Sequence, residues 1–262
     1  MIELKNIYFT YNKKSGKNFC LNNISTKIRE GDFITLLGPN GSGKSTLLKI
    51  LSGYFKPESG TIKFNSKPYQ NIPVKSLSKE IAVVSQKNIS IFPFSIHEIV
   101  MMGRTPYLNM FGVEDSEDRK IVNEALKIMK IYHLKDKGIN EVSGGEAQRA
   151  FIARALAQKP KYLLLDEPNA HLDVHHQFAI FDLLKDLNDK ENITVVAVSH
   201  DLNLSLRYSK KAILLDDGKI AAEGLPAEIL TGKNIDSVFK VSSDFVLTKS
   251  GSKTIIVNST SI

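Results

Sequence analysis

Apolar and polar positions alternate over residues 2–10 and 19–28, the period of a half-buried strand, and the polar, lysine-rich YNKKSGKN between them reads as a turn. The compact apolar run DFITLL at 32–37 predicts a buried strand that ends in glycine-rich sequence. TLLKILSG then predicts a helix stopped by glycine. GTIKFN at 60–65 and IAVVS at 81–85 add two strands. From Ser95 the period changes. SIHE is a Ser-x-x-Glu capping box that opens a helix running out near Gly103 and broken at Pro106. DSEDRKIVNEALKIMKIYHL, from Asp115, carries apolar residues at helical spacing behind an acidic first turn, and GEAQRAFIARALAQ predicts a third helix. Nothing between about 90 and 158 reads as a strand. Strand texture returns in KYLLLD at 161–166, ITVVAVS at 193–199 and KAILLDDGKI at 211–220, with the helical DVHHQFAIFDLLKDLND between the first two. FVLTKSGSKTIIVN reads as a small hairpin.

This order predicts a single α/β domain. Its core spans about 1–89 and 159–240, a helical insertion about 90–158, and a C-terminal β hairpin about 241–262. The 262 residues suffice to bury a full core, and two or three independent domains are not expected. A net charge of +7 fits anionic partners, but the basic residues are spread along the chain, which reads as a solvated face and not a nucleic-acid groove. Cys20 is the only cysteine, so no intramolecular disulfide can form and the chain reads as cytosolic. Glu3 and the lack of a basic-then-apolar run argue against a secretory signal. The longest apolar runs, such as YLLL and VVAV, fall far short of the ~20 residues that cross a bilayer, so any membrane role comes through a partner.

Three motifs carry chemistry. GPNGSGKST comprises Gly38, Pro39, Asn40, Gly41, Ser42, Gly43, Lys44, Ser45 and Thr46 and fits the G-x-x-x-x-G-K-[ST] phosphate loop, after a buried strand and before a helix. Its glycines let backbone N–H groups wrap a phosphate, with Lys44 expected on the β- and γ-phosphates and Ser45 on Mg²⁺. KYLLLDEP delivers Asp166 at a strand end as a metal anchor, with Glu167 beside it as candidate general base for the attacking water. VSGGEAQR places Ser143, Gly144 and Gly145, followed by Glu146, as a second glycine-rich anion nest at a helix start. A P-loop kinase needs only one such nest.

Ser-Gly-Gly-Glu with Gln-Arg, shortly before LLLDEP, resembles the signature of the ATP-binding cassette (ABC) family, and the likeness covers about 1–240. The resemblance implies an α/β fold with a P-loop (RecA-like) ATPase core, an antiparallel β subdomain and an inserted helical subdomain. It implies that Tyr11 stacks on adenine, that Gln86 contacts Mg²⁺ and joins core to helical insertion, and that His200 contacts the γ-phosphate. The implied cofactors are ATP and Mg²⁺, with Ser45, Gln86 and Asp166 on the metal. It further implies a head-to-tail homodimer, in which ATP on one phosphate loop is closed over by Ser143 to Glu146 of the other subunit. Val142 stands where leucine is usual, and Asn169 and Ala170 depart from the usual Thr-Ser. Both departures leave the phosphate chemistry intact.

Within the family, VMMGRTPYL, HDLNLSLRYSKKAILLDDGKI and EGLPAEILT resemble the ATPases of iron-siderophore, haem and cobalamin importers. That branch implies peripheral attachment to an integral-membrane permease at the cytoplasmic face of the cell membrane, indirect service to a substrate-binding protein, and no nucleic-acid partner. Import of another cargo such as molybdate, or a nucleic-acid-linked ABC ATPase, stays open as an alternative. Met101, Met102, Tyr107 and Phe111 are expected to line the permease dock, with core packing the rival for the methionines, and Arg104 is expected to serve assembly. His171, His175 and His176 invite a metal reading, but they fall where the family places the loop and helix after the catalytic carboxylate.

Overall fold

A computed structural model describes residues 1–11, 20–86, 92–108, 113–170, 172–248, 251 and 253–260, with Cys20 and Thr260 described by backbone alone. Phe111, His171 and most of the lysine-rich turn after Tyr11 lie outside the described residues. In chain order the first elements are β1 (Ile2–Thr10), β2 (Cys20–Ile28), β3 (Phe33–Leu37), α1 (Lys44–Leu51), β4 (Ser59–Phe64) and β5 (Lys67–Pro68). Next come α2 (Val74–Glu80), β6 (Ile81–Val84), α3 (Ile96–Met101), α4 (Ser116–Ile128), α5 (Gly144–Ala157), β7 (Tyr162–Asp166) and α6 (Val174–Glu191). The last are β8 (Thr194–Val198), α7 (Leu202–Tyr208), β9 (Lys211–Asp216), β10 (Lys219–Gly224), α8 (Pro226–Ile229), α9 (Gly232–Phe239), β11 (Val241–Leu247) and β12 (Lys253–Thr260). The chain divides into two compact units, Met1–Asn71 with Val196–Ile262, and Ile72–Val195.

In the first unit β1 pairs antiparallel with β2 and with β4. The simple alternation expected for β1 and β2 is broken. The buried set moves from Ile2 and Leu4 to Ile7 and Phe9, and on β2 from Leu21 to Ile24 and Ile28. A one-residue slip would turn every later side chain to the wrong face, so each strand inserts a bulge at an asparagine with positive φ, Asn6 at 49° and Asn23 at 56°. Asn6 Nδ2 donates to Asn23 Oδ1 at 2.7 Å and ties the two bulges together. The same unit holds a second set of strands, with β3 parallel to β9 and β9 antiparallel to β10. KAILLDDGKI is therefore not one strand but two, turned at Asp217 and Gly218, which both have positive φ as a two-residue Asp-Gly hairpin requires. β11 and β12 pair antiparallel, and Ile255 of β12 joins a buried cluster with Leu37, Leu202, Leu214 and Ile235.

In the second unit β6 runs parallel to β7, from Ile81 opposite Tyr162 to Val84 opposite Leu165. α3 and α4 pack on α5, and Ile99, Val100, Ile121, Val122, Ala150 and Ala153 on these helices are buried. The capping box at Ser95 forms as expected, with Glu98 closing it. α4 ends earlier than its apolar pattern predicts. The helix stops at Ile128, Lys130 takes a left-handed φ of 59°, and a short 3-10 turn at Tyr132–Leu134 follows. Two expectations for the segment after α3 are corrected. Met101 is 5% exposed and belongs to the core, so of the adjacent methionines only Met102, 40% exposed, faces solvent. Arg104 is itself buried, paired with Asp118 at 2.8 Å, so reversing its charge would disrupt packing and cannot report on assembly.

Candidate active site

β3 is buried throughout and delivers the chain to the phosphate loop at Gly38. Gly38 adopts φ +146°, and a Cβ there would lie 2.2 Å from the Leu215 carbonyl oxygen, so no other residue fits. Gly43 caps α1 in the left-handed region with no side-chain cap bond. The first-turn N–H groups of α1 therefore face no competing side-chain acceptor at the cap position. Lys44 is buried, and its ammonium donates to the Gly38 and Pro39 carbonyls, each at 2.9 Å. Ser42 Oγ is buried without a hydrogen-bond partner, an orphaned polar group inside the cradle. An anion that accepts from this hydroxyl would satisfy it. Tyr11 bonds Thr46 Oγ1 at 2.8 Å and meets Phe55 edge-on at 5.5 Å, so its half-exposed ring is fixed beside the start of α1. His200 follows β8 and precedes Asp201, whose carboxylate caps α7 by accepting from Asn203 and Leu204 N–H.

The second unit gathers the carboxylates and the signature residues. All of β7 is buried and ends at Asp166. Glu167, the next residue, sits at φ 52°. A glutamate in the left-handed region is held there by its surroundings at a cost of order 1–3 kcal/mol, the kind of strain found where a side chain must be aimed. Its Oε2 accepts from Gln86 Nε2 at 2.6 Å. Two residues 81 apart in sequence, both singled out from motifs, are thus brought into direct contact. An oxygen donor of the Asp166 kind suits a hard cation such as Mg²⁺.

Ser143 is the N-cap of α5, and its residues close on themselves. Ser143 Oγ and N both donate to Glu146 Oε2, at 2.7 and 2.8 Å, and Glu146 N donates back to Ser143 Oγ at 3.4 Å. The Ser143 hydrogen bonds hold the Glu146 carboxyl below the usual glutamate range. The His176 ring lies against Gly145 and pairs through Nδ1 with Asp173 Oδ1 at 2.8 Å; the His176 backbone N–H, and then its ring, hold the Asp173 carboxyl below the usual aspartate range. Asp173 also caps α6 by accepting from His176 N. His176 therefore ties the loop after Glu167 to the signature glycine, a role that sequence reasoning missed.

Other features were missed for different reasons. The Ser143–Glu146 box is the same Ser-x-x-Glu spacing as SIHE and was legible, but it lay under the glycine signal. The Gln86–Glu167 bond and the positive φ of Glu167 have no local signature.

The family model for the ABC transporter matches residues 21–170. The chain is 37% identical over 224 residues to the ferric enterobactin transport ATP-binding protein of Escherichia coli (strain K12), covering 86% of this chain and 83% of that protein. Among solved structures, a chain from an ABC transporter assigned to the metal-chelate type, in an inward-facing conformation, matches with a TM-score of 0.85 and 32% identity, covering 98% of this chain and 96% of that one. An ATP-binding cassette solved as a dimer in a post-hydrolysis state, bound to ADP and Pi, matches with a TM-score of 0.75 and 33% identity, covering 86% of this chain and 99% of the other. With a phosphate loop, a carboxylate pair and a signature segment each in its expected structural setting, the chain belongs to the ABC transporter family and is an α/β ABC-type ATPase that binds ATP.

Proposed function

We propose that the chain is the ATPase subunit of an import system for an iron chelate, working as a homodimer docked on an integral-membrane permease at the cytoplasmic face of the membrane. The ferric enterobactin relative and the metal-chelate transporter support the cargo class, and the dimeric cassette supports the assembly. No helix among the described residues is long and apolar enough to cross a membrane, so the passage is supplied by the permease. A substrate-binding protein hands over the chelate on the far side.

In this reading the Gly38–Thr46 loop holds the ATP phosphates, with Lys44 on the β- and γ-phosphates, and Tyr11 stacks on adenine. Ser45, Gln86 and Asp166 would hold Mg²⁺, which would neutralise charge on the phosphates. Glu167 takes a proton from the attacking water, and His200 contacts the γ-phosphate. Ser143, Gly144, Gly145 and Glu146 face the ATP of the other subunit. The observation that carries the hydrolytic assignment is the aimed Glu167, at φ 52° on the end of a buried strand with its carboxylate on Gln86. Met102 and Tyr107, both partly exposed, offer the surface to the permease.

The test is ATP hydrolysis by the chain in vesicles with the permease that co-purifies with it. Ferric siderophore or haem, loaded on the binding protein, should stimulate turnover. Stimulation by molybdate alone would move the cargo to oxyanions, and stimulation by nucleic acid without a permease would overturn the transporter reading.

A further inference from the structure

The segment that carries Met102 and Tyr107 is fastened to one end of α5. Gly103 crosses the helix so closely that a Cβ would lie 2.0 Å from the Arg154 carbonyl oxygen. Arg104 donates through Nη1 to the Ala157 carbonyl at 2.7 Å and through Nε to Asp118 at 2.8 Å. Its guanidinium lies 3.9 Å from the centre of the Tyr107 ring, and the Tyr107 hydroxyl donates to the Gln158 carbonyl at 2.9 Å. The Gln158 side chain in turn donates to Ser78 O of α2 and, at 2.9 Å, to Ile81 O at the start of the strand that leads to Gln86. The last carbonyls of a helix lack intrahelical partners and favour a cation. One such donor would suffice as a cap. Here a single short segment supplies two, braced by a buried ion pair and a stacked ring, and all of them serve one helix end.

The other end of α5 begins at Ser143, Gly144 and Gly145. Between them run 14 helical residues, a rod of about 20 Å. A helix packed along α3 and α4 transmits a shift at one end to the other as a rigid body. We propose that Arg104 and Tyr107 are positioning residues that lock the exposed side chains of Met102 and Tyr107 to the signature helix. A push on those side chains moves Ser143–Gly145, and closure on Ser143–Gly145 moves them, since such coupling is reciprocal. This rests on the reading of Ser143–Gly145 as the segment that closes on the ATP of the partner subunit.

The experiment uses the full chain with Glu167→Gln to hold ATP and Cys20→Ser to clear the lone thiol. An environment-sensitive fluorophore is placed on Met102→Cys. MgATP should drive dimerisation, read by light scattering, and shift the emission of the label. Tyr107→Phe, which removes the hydroxyl and keeps the ring, should dimerise as the parent does but lose most of the emission shift. Thr105→Ala, whose hydroxyl serves only its own turn through Met102 O, should keep it. If Tyr107→Phe unfolds, Arg104→Lys decides. Lysine cannot serve Asp118, Ala157 and the Tyr107 face at once, so the shift should shrink with dimerisation intact. An unchanged shift in Tyr107→Phe or Arg104→Lys, an equal loss in Thr105→Ala, or a parent that dimerises without any shift overturns the clamp. A parent that binds ATP and does not dimerise instead overturns the underlying reading of the signature segment.

Discussion

α1 and α5 both begin at a glycine-rich turn, yet the two helix starts are built in opposite ways. α1 is capped by Gly43 in the left-handed region, with no side chain bonded across the cap. α5 is capped by Ser143 and Glu146, which satisfy each other reciprocally. The first start has a glycine cap without a side chain, and the loop before it takes a backbone geometry at Gly38 that only glycine tolerates. The second is complete in itself and already carries a carboxylate. An open start with a buried lysine is made to receive an anion. A self-capped start holds its own shape, as the closing segment of the proposed dimer would need to. On the proposed reading, two glycine motifs that look alike in sequence divide the labour between holding ATP and closing over it.

The largest expected effect tests what neither helix start supplies. Glu167→Gln should keep ATP binding and lower turnover by ~10²–10⁴, the range for a lost general base. Steady-state hydrolysis at the parental rate would return the chemistry to the helix starts and end the division. Next, Lys44→Ala should weaken ATP binding by about 100-fold or more, as two charge-assisted contacts to phosphate are lost. Calorimetry that finds parental affinity would mean that the open start is not the anion site. Ser143→Arg should then leave ATP binding by the single chain intact while blocking ATP-dependent dimerisation of the Glu167→Gln protein in light scattering. A variant that dimerises normally would deny α5 its closing role.

A smaller effect separates capping from closure. Ser143→Ala should cost about 1 kcal/mol of stability in denaturant titration, the usual worth of such a cap. No loss would show that the reciprocal box contributes nothing to holding α5. The smallest effect is in pH. The Glu146 carboxyl is lowered by its bonds to Ser143, so its contribution is present above the ordinary glutamate value of about 4.3 and is lost as pH falls through the lower folded value. The stability difference between the parent and Glu146→Gln should therefore be full near neutrality and shrink as pH falls below the ordinary glutamate value. A difference that grows on acidification would have the wrong sign for a charged cap.

Much of this was legible because it is local. A phosphate loop needs particular residue types at fixed spacing, so GPNGSGKST stands out wherever it occurs. The turn at Asp217 and Gly218 was equally local and could have divided β9 from β10, since Asp-Gly is a strong hairpin signal. The bulges at Asn6 and Asn23 also leave a trace, because the apolar set changes parity across each asparagine. Met101 and Met102 were not separable in this way. Adjacent on a helix end, they differ only in which one meets the packed helices. Arg104 misled more sharply, because its partners lie 14 and 53 residues away and no spacing rule predicts a buried arginine there.

By itself, the sequence determined most of the strands, the helices α1, α3, α4, α5 and α6, the phosphate loop, the carboxylate pair and the signature segment, since each depends on period, capping or glycine chemistry within a few residues. Only the tertiary structure decided that Gln86 holds Glu167, that His176 rests on Gly145, and that Arg104 is a buried cap on α5. Those facts depend on which surfaces pack together, and packing brings distant residues into contact without leaving a periodic mark on either one.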